Sequence, residues 1–307
     1  MQRYVSIRGG SPHARIKMLG YYVQRAITSR TIRHAATLAT VVMLGTLYGR
    51  PRRRQAAVSA LEAMRSNGYV PLGQVLSSGQ CAEIKEWLQG RDMISVRGSG
   101  QTFRLDAVPP GTRVADFPLD SVVHCPHLLA LANRPDMLAL ATDYLGYTPT
   151  ITVMGLRWSF PDSGMDNDVQ GFHRDSEAAS IKLLLYLTDV DMDSGPHSYL
   201  PGSHRDRMSL RLRRYPEGEV AQRGGATVVT GPAGTALMMD TRGIHKGTPP
   251  QAKPRLLLVV QYSLLPALVY DYDPVPYHGA DRPDHYVNRL IIAPPGQPQP
   301  RHPTNGA

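Results

Sequence analysis

Gln170-Gly-Phe-His173-Arg-Asp175 is the stretch from which this chain is best read, because it sets an imidazole and a carboxylate two residues apart. On an extended strand that spacing turns both side chains to one face. A second imidazole, His245, follows about seventy residues later, and Arg255 stands ten residues beyond it. Two neutral imidazoles and one carboxylate can occupy one face of an iron(II) octahedron, leaving the other three positions open to an oxidisable co-substrate and O2. The third ligand must then come from a distant strand.

The surroundings of His245 supply that strand. Gly234-Thr-Ala-Leu-Met-Met-Asp240 predicts a strand and Thr241-Arg-Gly-Ile244 a turn into the histidine. Arg255-Leu-Leu-Leu-Val-Val-Gln-Tyr262 predicts a further apolar strand that begins with a guanidinium. A buried arginine is costly unless an anion meets it, and its fork matches a carboxylate best. In Ile181-Lys-Leu-Leu-Leu-Tyr-Leu-Thr188 the side chains of Lys182, Leu184 and Tyr186 share a face, so Lys182 either reaches a carboxylate or lies on the solvent side. Strand-like runs from Thr150 onward, separated by Gly, Pro and Asp turns, predict a mainly β jelly roll with flanking helices, a double-stranded β-helix of the cupin kind. Two helices are expected before it, one over 128–135 stopped by Pro135 and one over 136–146 stopped by Gly146.

At these residues the chain resembles the phytanoyl-CoA dioxygenase-like branch of the iron(II)/2-oxoglutarate oxygenases. The resemblance rests on Gln170 through Asp175, on Ser194-Gly-Pro196 leading to Leu200-Pro-Gly-Ser-His204, and on Gly234 through Arg255. Ser66-Asn-Gly-Tyr-Val-Pro-Leu72 with Cys81-Ala-Glu-Ile84 looks like the family's opening strand and helix, so coverage runs from about Gln55 to about Leu265. The resemblance implies iron(II) held by His173, Asp175 and His245, with 2-oxoglutarate chelated to it and its far carboxylate on Arg255. O2 takes the last position, succinate and CO2 leave, and an unactivated C–H is hydroxylated. Relatives often carry Ser or Thr two residues after the distal histidine; this chain has Gly247 there, with Thr248 adjacent as a substitute. Halogenating relatives have a small residue where this chain has Asp175, which argues against halogenation. Gln170, Arg157 and Tyr186 are candidate substrate-pocket residues, although Arg157 also suits a packed strand with a surface arginine. His197 and His204 flank a Gly/Pro-rich turn, and His204 is expected to brace it through hydrogen bonds.

Composition sets the outer limits. At 307 residues, 42% of them hydrophobic, the chain can build one large domain with attachments. Residues 1–55 hold eleven Lys/Arg and no Asp or Glu, more than the net +9 of the whole chain, so the basicity belongs to an N-terminal extension and not to the core. That argues against a nucleic-acid groove around the site. The extension has an uncharged run over 35–49, short of the roughly 20 residues that span a bilayer. It reads as ordinary helices packed on the core, as a helix on an anionic membrane surface, or as an organellar transit peptide. Three segments follow: the basic extension 1–55, helical or membrane-surface, the oxygenase domain 56–290, and a Pro-rich, disordered tail 291–307. Cys81 and Cys125 imply no disulfide framework, and iron(II) chemistry favours a reducing compartment, so the cytoplasm is expected, possible contact with a membrane periphery included. The substrate class stays open between a free small molecule and a lipid- or glycan-linked one. Two other functions fit the same scaffold, a non-enzymatic ligand-binding module and a metal-dependent isomerase. An isomerase has no need for a buried guanidinium aimed at a co-substrate carboxylate, so Arg255 discriminates it; for the binding module the test is whether His245→Ala, which removes the metal, leaves ligand affinity intact.

Overall fold

The structure is a computed structural model that describes residues 3–4, 12–49, 55–96, 100–161, 171–206 and 212–294. The chain begins with β1 (Arg3–Tyr4), α1 (Pro12–Ala26), α2 (Arg30–Tyr48) and α3 (Val58–Asn67). Next come β2 (Tyr69–Gln74), α4 (Ser78–Leu88), β3 (Met93–Ser95), β4 (Thr102–Phe103) and β5 (Val114–Asp116). Three helices follow, α5 (Leu119–Val123), α6 (Leu128–Ala132) and α7 (Pro135–Leu145). The remainder is β6 (Thr150–Ser159), β7 (Ser180–Tyr186), β8 (His197–Tyr199), α8 (Glu217–Gln222), β9 (Thr227–Val229), β10 (Thr235–Met239), β11 (His245–Gly247), β12 (Arg255–Ser263), β13 (Tyr270–Asp271) and α9 (His285–Asn288).

Eight strands form an antiparallel sheet in the order β2-β10-β7-β12-β6-β5-β3-β4, and β11-β8-β9 form a smaller one. This is the expected jelly roll. β12 explains why its sequence reads as one apolar run: both of its faces are covered. Leu256, Leu258, Val260 and Tyr262 join the main core with buried residues of α4 to α7, while Leu257 turns inward to Tyr186, Leu237 and Tyr199. The same alternation in β7 sends Ile181, Leu183 and Leu185 to the helices and Leu184 and Tyr186 between the sheets.

Pro135 does not stop the first predicted helix; it opens the second. α6 ends at Ala132, where the Asn133 side chain donates to the Leu129 carbonyl at 3.0 Å, and Pro135 takes the first position of α7. A proline loses nothing there, since that N–H has no helical partner in any case. α7 ends on Gly146 at φ 87°, as expected for a left-handed cap.

The basic N-terminal residues form two helices laid against the barrel. α2 places Leu44 in the main core, and its C-terminal Tyr48 meets the Tyr286 ring edge-on at 5.2 Å. No helix among the described residues is long and apolar enough to cross a membrane. The predicted tail 291–307 begins inside the fold, with Ile291 buried in the main core and Ile292 bridged to Val275, and residues 295–307 lie outside the described residues. Cys81 and Cys125 are free, buried thiols, and burial pushes Cys125 up to about 12.

Candidate metal and co-substrate site

His173 and His245 face each other across an antiparallel bridge in which each backbone N–H donates to the other's carbonyl, at 2.9 and 3.0 Å. Each ring is then fixed from behind. His173 Nδ1 donates to the Gly171 carbonyl and His245 Nδ1 to the Gly243 carbonyl, both at 3.0 Å. With Nδ1 carrying the proton, Nε2 is the lone-pair nitrogen on both rings, the tautomer a metal ligand needs.

Asp175 completes the group. Its N–H donates to the Thr241 carbonyl at 2.9 Å, and its Oδ1 lies 3.6 Å from His173 Nε2 and 4.0 Å from His245 Nε2. One ligand atom from each of the three lies within 4.8 Å of the others, a spacing that can hold a metal ion. Lys182 takes the second oxygen: its Nζ donates to Asp175 Oδ2 at 2.6 Å. Burial pushes the Asp175 carboxyl up, but Lys182 and the two imidazoles outweigh it and hold the group well below the usual carboxylate range. Burial pulls His245 down to about 4, with Asp175 opposing, so the ring is neutral at pH 7.

The residue between the ligands points away from them. Arg174 donates to the Ser203 carbonyl at 2.8 Å, the Arg242 carbonyl at 2.5 Å, the Tyr215 hydroxyl at 3.0 Å and Asp206 at 2.5 Å, tying the ligand strand to both neighbouring loops. A second clamp holds the turn before His245. Asp240, fully buried, accepts from Arg242 Nε at 2.9 Å, Arg242 Nη2 at 2.5 Å and the Tyr144 hydroxyl at 2.7 Å, while its carbonyl accepts the Tyr199 hydroxyl at 2.8 Å. Sequence reading missed both clamps. Alternation around His-Arg-Asp is the signal that would have placed Arg174 on the far face.

Arg255 starts β12 on the inner face of the large sheet. Its Nη1 donates to the Thr248 carbonyl at 3.2 Å; its buried Nε has no partner, and no carboxylate of a described residue lies within 4 Å. Burial pulls it down to about 10, with Arg157 adding and Tyr186 opposing. A buried guanidinium with an orphaned N–H is the arrangement a co-substrate carboxylate completes. Gly195, at φ 75°, accounts for the Ser-Gly-Pro motif: a Cβ there would lie 2.3 Å from the Thr248 carbonyl oxygen, so only glycine lets the two loops close behind Arg255.

The structure therefore brings His173, Asp175, His245 and Lys182 together and joins Thr248 to Arg255, although Thr248 contributes its carbonyl where a hydroxyl was expected. Two of the pocket candidates are held by partners within the fold. The Tyr186 hydroxyl is sealed between the sheets, donating to the Val229 carbonyl and accepting the His197 N–H, both at 2.9 Å. Arg157, on the inner face beside Arg255, is clamped by Asp116 at 2.6 and 2.9 Å. Gln170 lies outside the described residues. His197 is buried and feels both Arg255 and His245, and His204 braces its turn through the Arg65 carbonyl at 3.2 Å.

Comparison with known proteins agrees with this geometry. Residues 64–254 match the family model described as phytanoyl-CoA dioxygenase (PhyH). A search of curated proteins gives no match. Among solved structures the fold is similar to EctD from S. alaskensis, solved with 2-oxoglutarate and 5-hydroxyectoine, at 16% identity and TM-score 0.52 over 79% of this chain and 88% of that one. It is also similar to HygX from Streptomyces hygroscopicus with nickel, 2-oxoglutarate and hygromycin B bound, at 18% identity and TM-score 0.51, covering 76% of this chain and 96% of that one. The non-heme alpha ketoglutarate dependent epimerase SnoN from nogalamycin biosynthesis matches at 22% identity and TM-score 0.50, over 75% and 93% of the two chains. At such identities the likeness is one of fold.

Proposed function

This chain belongs to the phytanoyl-CoA dioxygenase family of iron/2-oxoglutarate-dependent oxygenases, and we propose that it hydroxylates an unactivated C–H of a small-molecule substrate, with release of succinate and CO2. The observation that carries the proposal is the convergence of two Nε2 atoms and one carboxylate oxygen within 4.8 Å. Both rings are oriented by backbone carbonyls, so little has to rearrange when a metal arrives.

When bound, iron(II) with 2-oxoglutarate and O2 supplies the oxidising power that puts one oxygen atom into a C–H bond and the other into succinate. The chain does the rest. His173, His245 and Asp175 Oδ1 offer three ligand atoms on one side and leave the other side open. Lys182 keeps Asp175 ionised and occupies its second oxygen, which favours one-oxygen binding. Arg255 takes the far carboxylate of 2-oxoglutarate at its unsatisfied Nε and fixes the co-substrate's direction along the inner face of β12. Leu257, two residues along the same face of β12, packs with Leu184 and Leu237, so the surroundings of Arg255 are apolar and strengthen that contact.

Anaerobic addition of iron(II) and 2-oxoglutarate is expected to give the visible metal-to-ligand charge-transfer band of the chelate, and His245→Ala to abolish it. Iron binding without the band in the unaltered protein would sink the oxygenase reading and leave the isomerase or binding module.

A second feature bears on where the substrate is met. The outward faces of α1 and α2 expose Ile16, Leu19, Val23, Leu38, Val42 and Leu47, in a segment with no acidic residue. Apolar side chains within a wholly basic segment favour contact with an anionic membrane surface, and with it a lipid-linked or surface-glycan substrate. Affinity for anionic liposomes is expected to fall about 10²-fold or more in Leu19→Glu/Val42→Glu, since each buried leucine or valine contributes ~1.5–3 kcal/mol and each ~1.4 kcal/mol is tenfold. Equal pelleting would remove the idea.

A further inference from the structure

The N-terminal helices lie outside the residues 64–254 that match the family, yet they reach the metal ligands. A cavity of about 400 Å³ is lined by His173, Asp175 and Lys182 together with Tyr21 and Arg25 of α1. The placement of α1 is not incidental. Gln24 Nε2 and Arg33 Nη1 both donate to the Ser176 carbonyl, at 3.0 and 2.9 Å, one residue from Asp175. The same buried Arg33 caps the end of α1 through the Gln24 carbonyl at 2.7 Å and the Ile27 carbonyl at 2.6 Å. At the other end Lys17 binds Asp271 at 3.1 Å, and Gly20 admits Leu268 so closely that a Cβ there would lie 3.1 Å from its Cδ1. Tyr21 and Arg25 lie on the same side of the helix as Lys17 and Gln24, one turn apart.

Charge distinguishes Arg25 from Lys182, Arg174 and Arg213 in the cavity. Lys182 is paired with Asp175, Arg174 with Asp206, and Arg213 with Glu219 through both carboxylate oxygens at 2.7 and 2.8 Å. Arg25 has no carboxylate of a described residue within 4 Å; its Nη1 donates to the Tyr21 hydroxyl at 2.9 Å, with the guanidinium 5.5 Å from the Tyr21 ring centre. Glu177 also lines the cavity but makes no ion pair with Arg25 within 4 Å. We propose that α1 is the roof of the substrate cavity and that Arg25, steadied by Tyr21, binds an anionic group, phosphate or carboxylate, of the substrate. An arginine fork offers two parallel donors to either anion, and the Tyr21 ring offers a flat surface to whatever adjoins it. This deepens the oxygenase reading and rests on it.

The test uses full-length protein loaded anaerobically with iron(II) and 2-oxoglutarate. Phenyl phosphate and benzoate serve as the two anionic probes, with benzyl alcohol as the neutral one, and binding is followed by calorimetry and by change in the charge-transfer band. At least one anionic probe is expected to bind, benzyl alcohol at least tenfold more weakly, and the preferred probe distinguishes phosphate from carboxylate. Arg25→Ala is expected to lose tenfold or more of that affinity, Arg25→Lys less, and the surface control Arg15→Ala nothing, with the band itself intact in all three. Unchanged binding in Arg25→Ala, equal loss in Arg15→Ala, or no probe binding to the unaltered protein would each overturn the proposal. Absence of the band in the unaltered protein would instead be the failure of the oxygenase reading.

Discussion

Arg255→Met is expected to raise the 2-oxoglutarate concentration for half-maximal turnover by about 10²–10³-fold. The estimate follows from removing one partner of a buried charge pair, which costs ~3–4 kcal/mol, each ~1.4 kcal/mol being tenfold. Methionine keeps much of the volume, so the β6 and β7 neighbours of β12 need not move. Because the guanidinium meets the end of the co-substrate that does not react, the loss should fall on KM more than on kcat. Arg255→Lys should recover part of it, keeping the charge but not the fork. Iron(II) affinity without 2-oxoglutarate should be unchanged. Steady-state kinetics against 2-oxoglutarate, paired with metal titration, decides the matter. An unaltered KM would mean that the orphaned Nε serves something other than the co-substrate.

Arg255 also shows what could be read from the chain before its structure. A guanidinium at the head of an apolar strand is out of place unless something anionic meets it, so the expectation of an anion there followed from cost, and its identity as a co-substrate carboxylate from the family resemblance. The His-x-Asp pair was legible for a related reason, since strand geometry fixes which side chains share a face. The jelly roll followed from apolar runs punctuated by turn residues. What could not be read was whatever depends on contacts distant in sequence. Lys182 could face Asp175 or water, and only the packing of β7 against the ligand strand, which brings Nζ to 2.6 Å from Oδ2, decides it. Pro135 is equally compatible with ending one helix and starting the next. Arg33 and Gln24 look like residues of any basic helix until Ser176, far along the chain, is seen to accept from both. The charge imbalance of residues 1–55 was plain, but that their helices reach the cavity was not.

Asp240→Ala is expected to be the most destabilising single change near the site, lowering stability by ~3–5 kcal/mol, the usual cost of breaking a buried ion pair from one side. Asp240 is fully buried, and its removal strands Arg242 and leaves the Tyr144 hydroxyl without its acceptor. The damage should reach the ligands. The turn from Asp240 to Gly243 holds the Thr241 carbonyl against the Asp175 N–H at 2.9 Å and offers the Gly243 carbonyl to His245 Nδ1 at 3.0 Å. Loosening it should therefore weaken the iron(II)–2-oxoglutarate band as well as the fold. In thermal unfolding the drop should be about 10 °C, since 1 kcal/mol corresponds to roughly 2–4 °C in a chain somewhat smaller than this one. The pH dependence has a definite sign. Burial pushes the Asp240 carboxyl up, but Arg242 and the hydrogen bonds outweigh it and hold it below its unfolded value. A group depressed in this way stabilises fully above its unfolded pKa, ~3.9 for aspartate, and loses that contribution as pH falls through the folded value. The gap in melting temperature between the unaltered protein and Asp240→Ala should thus be constant from about pH 6 to 8 and shrink below about pH 4. A gap independent of pH into the acid range would mean that the loss comes from packing alone and that the Asp240–Arg242 pair does not hold the turn through its charge.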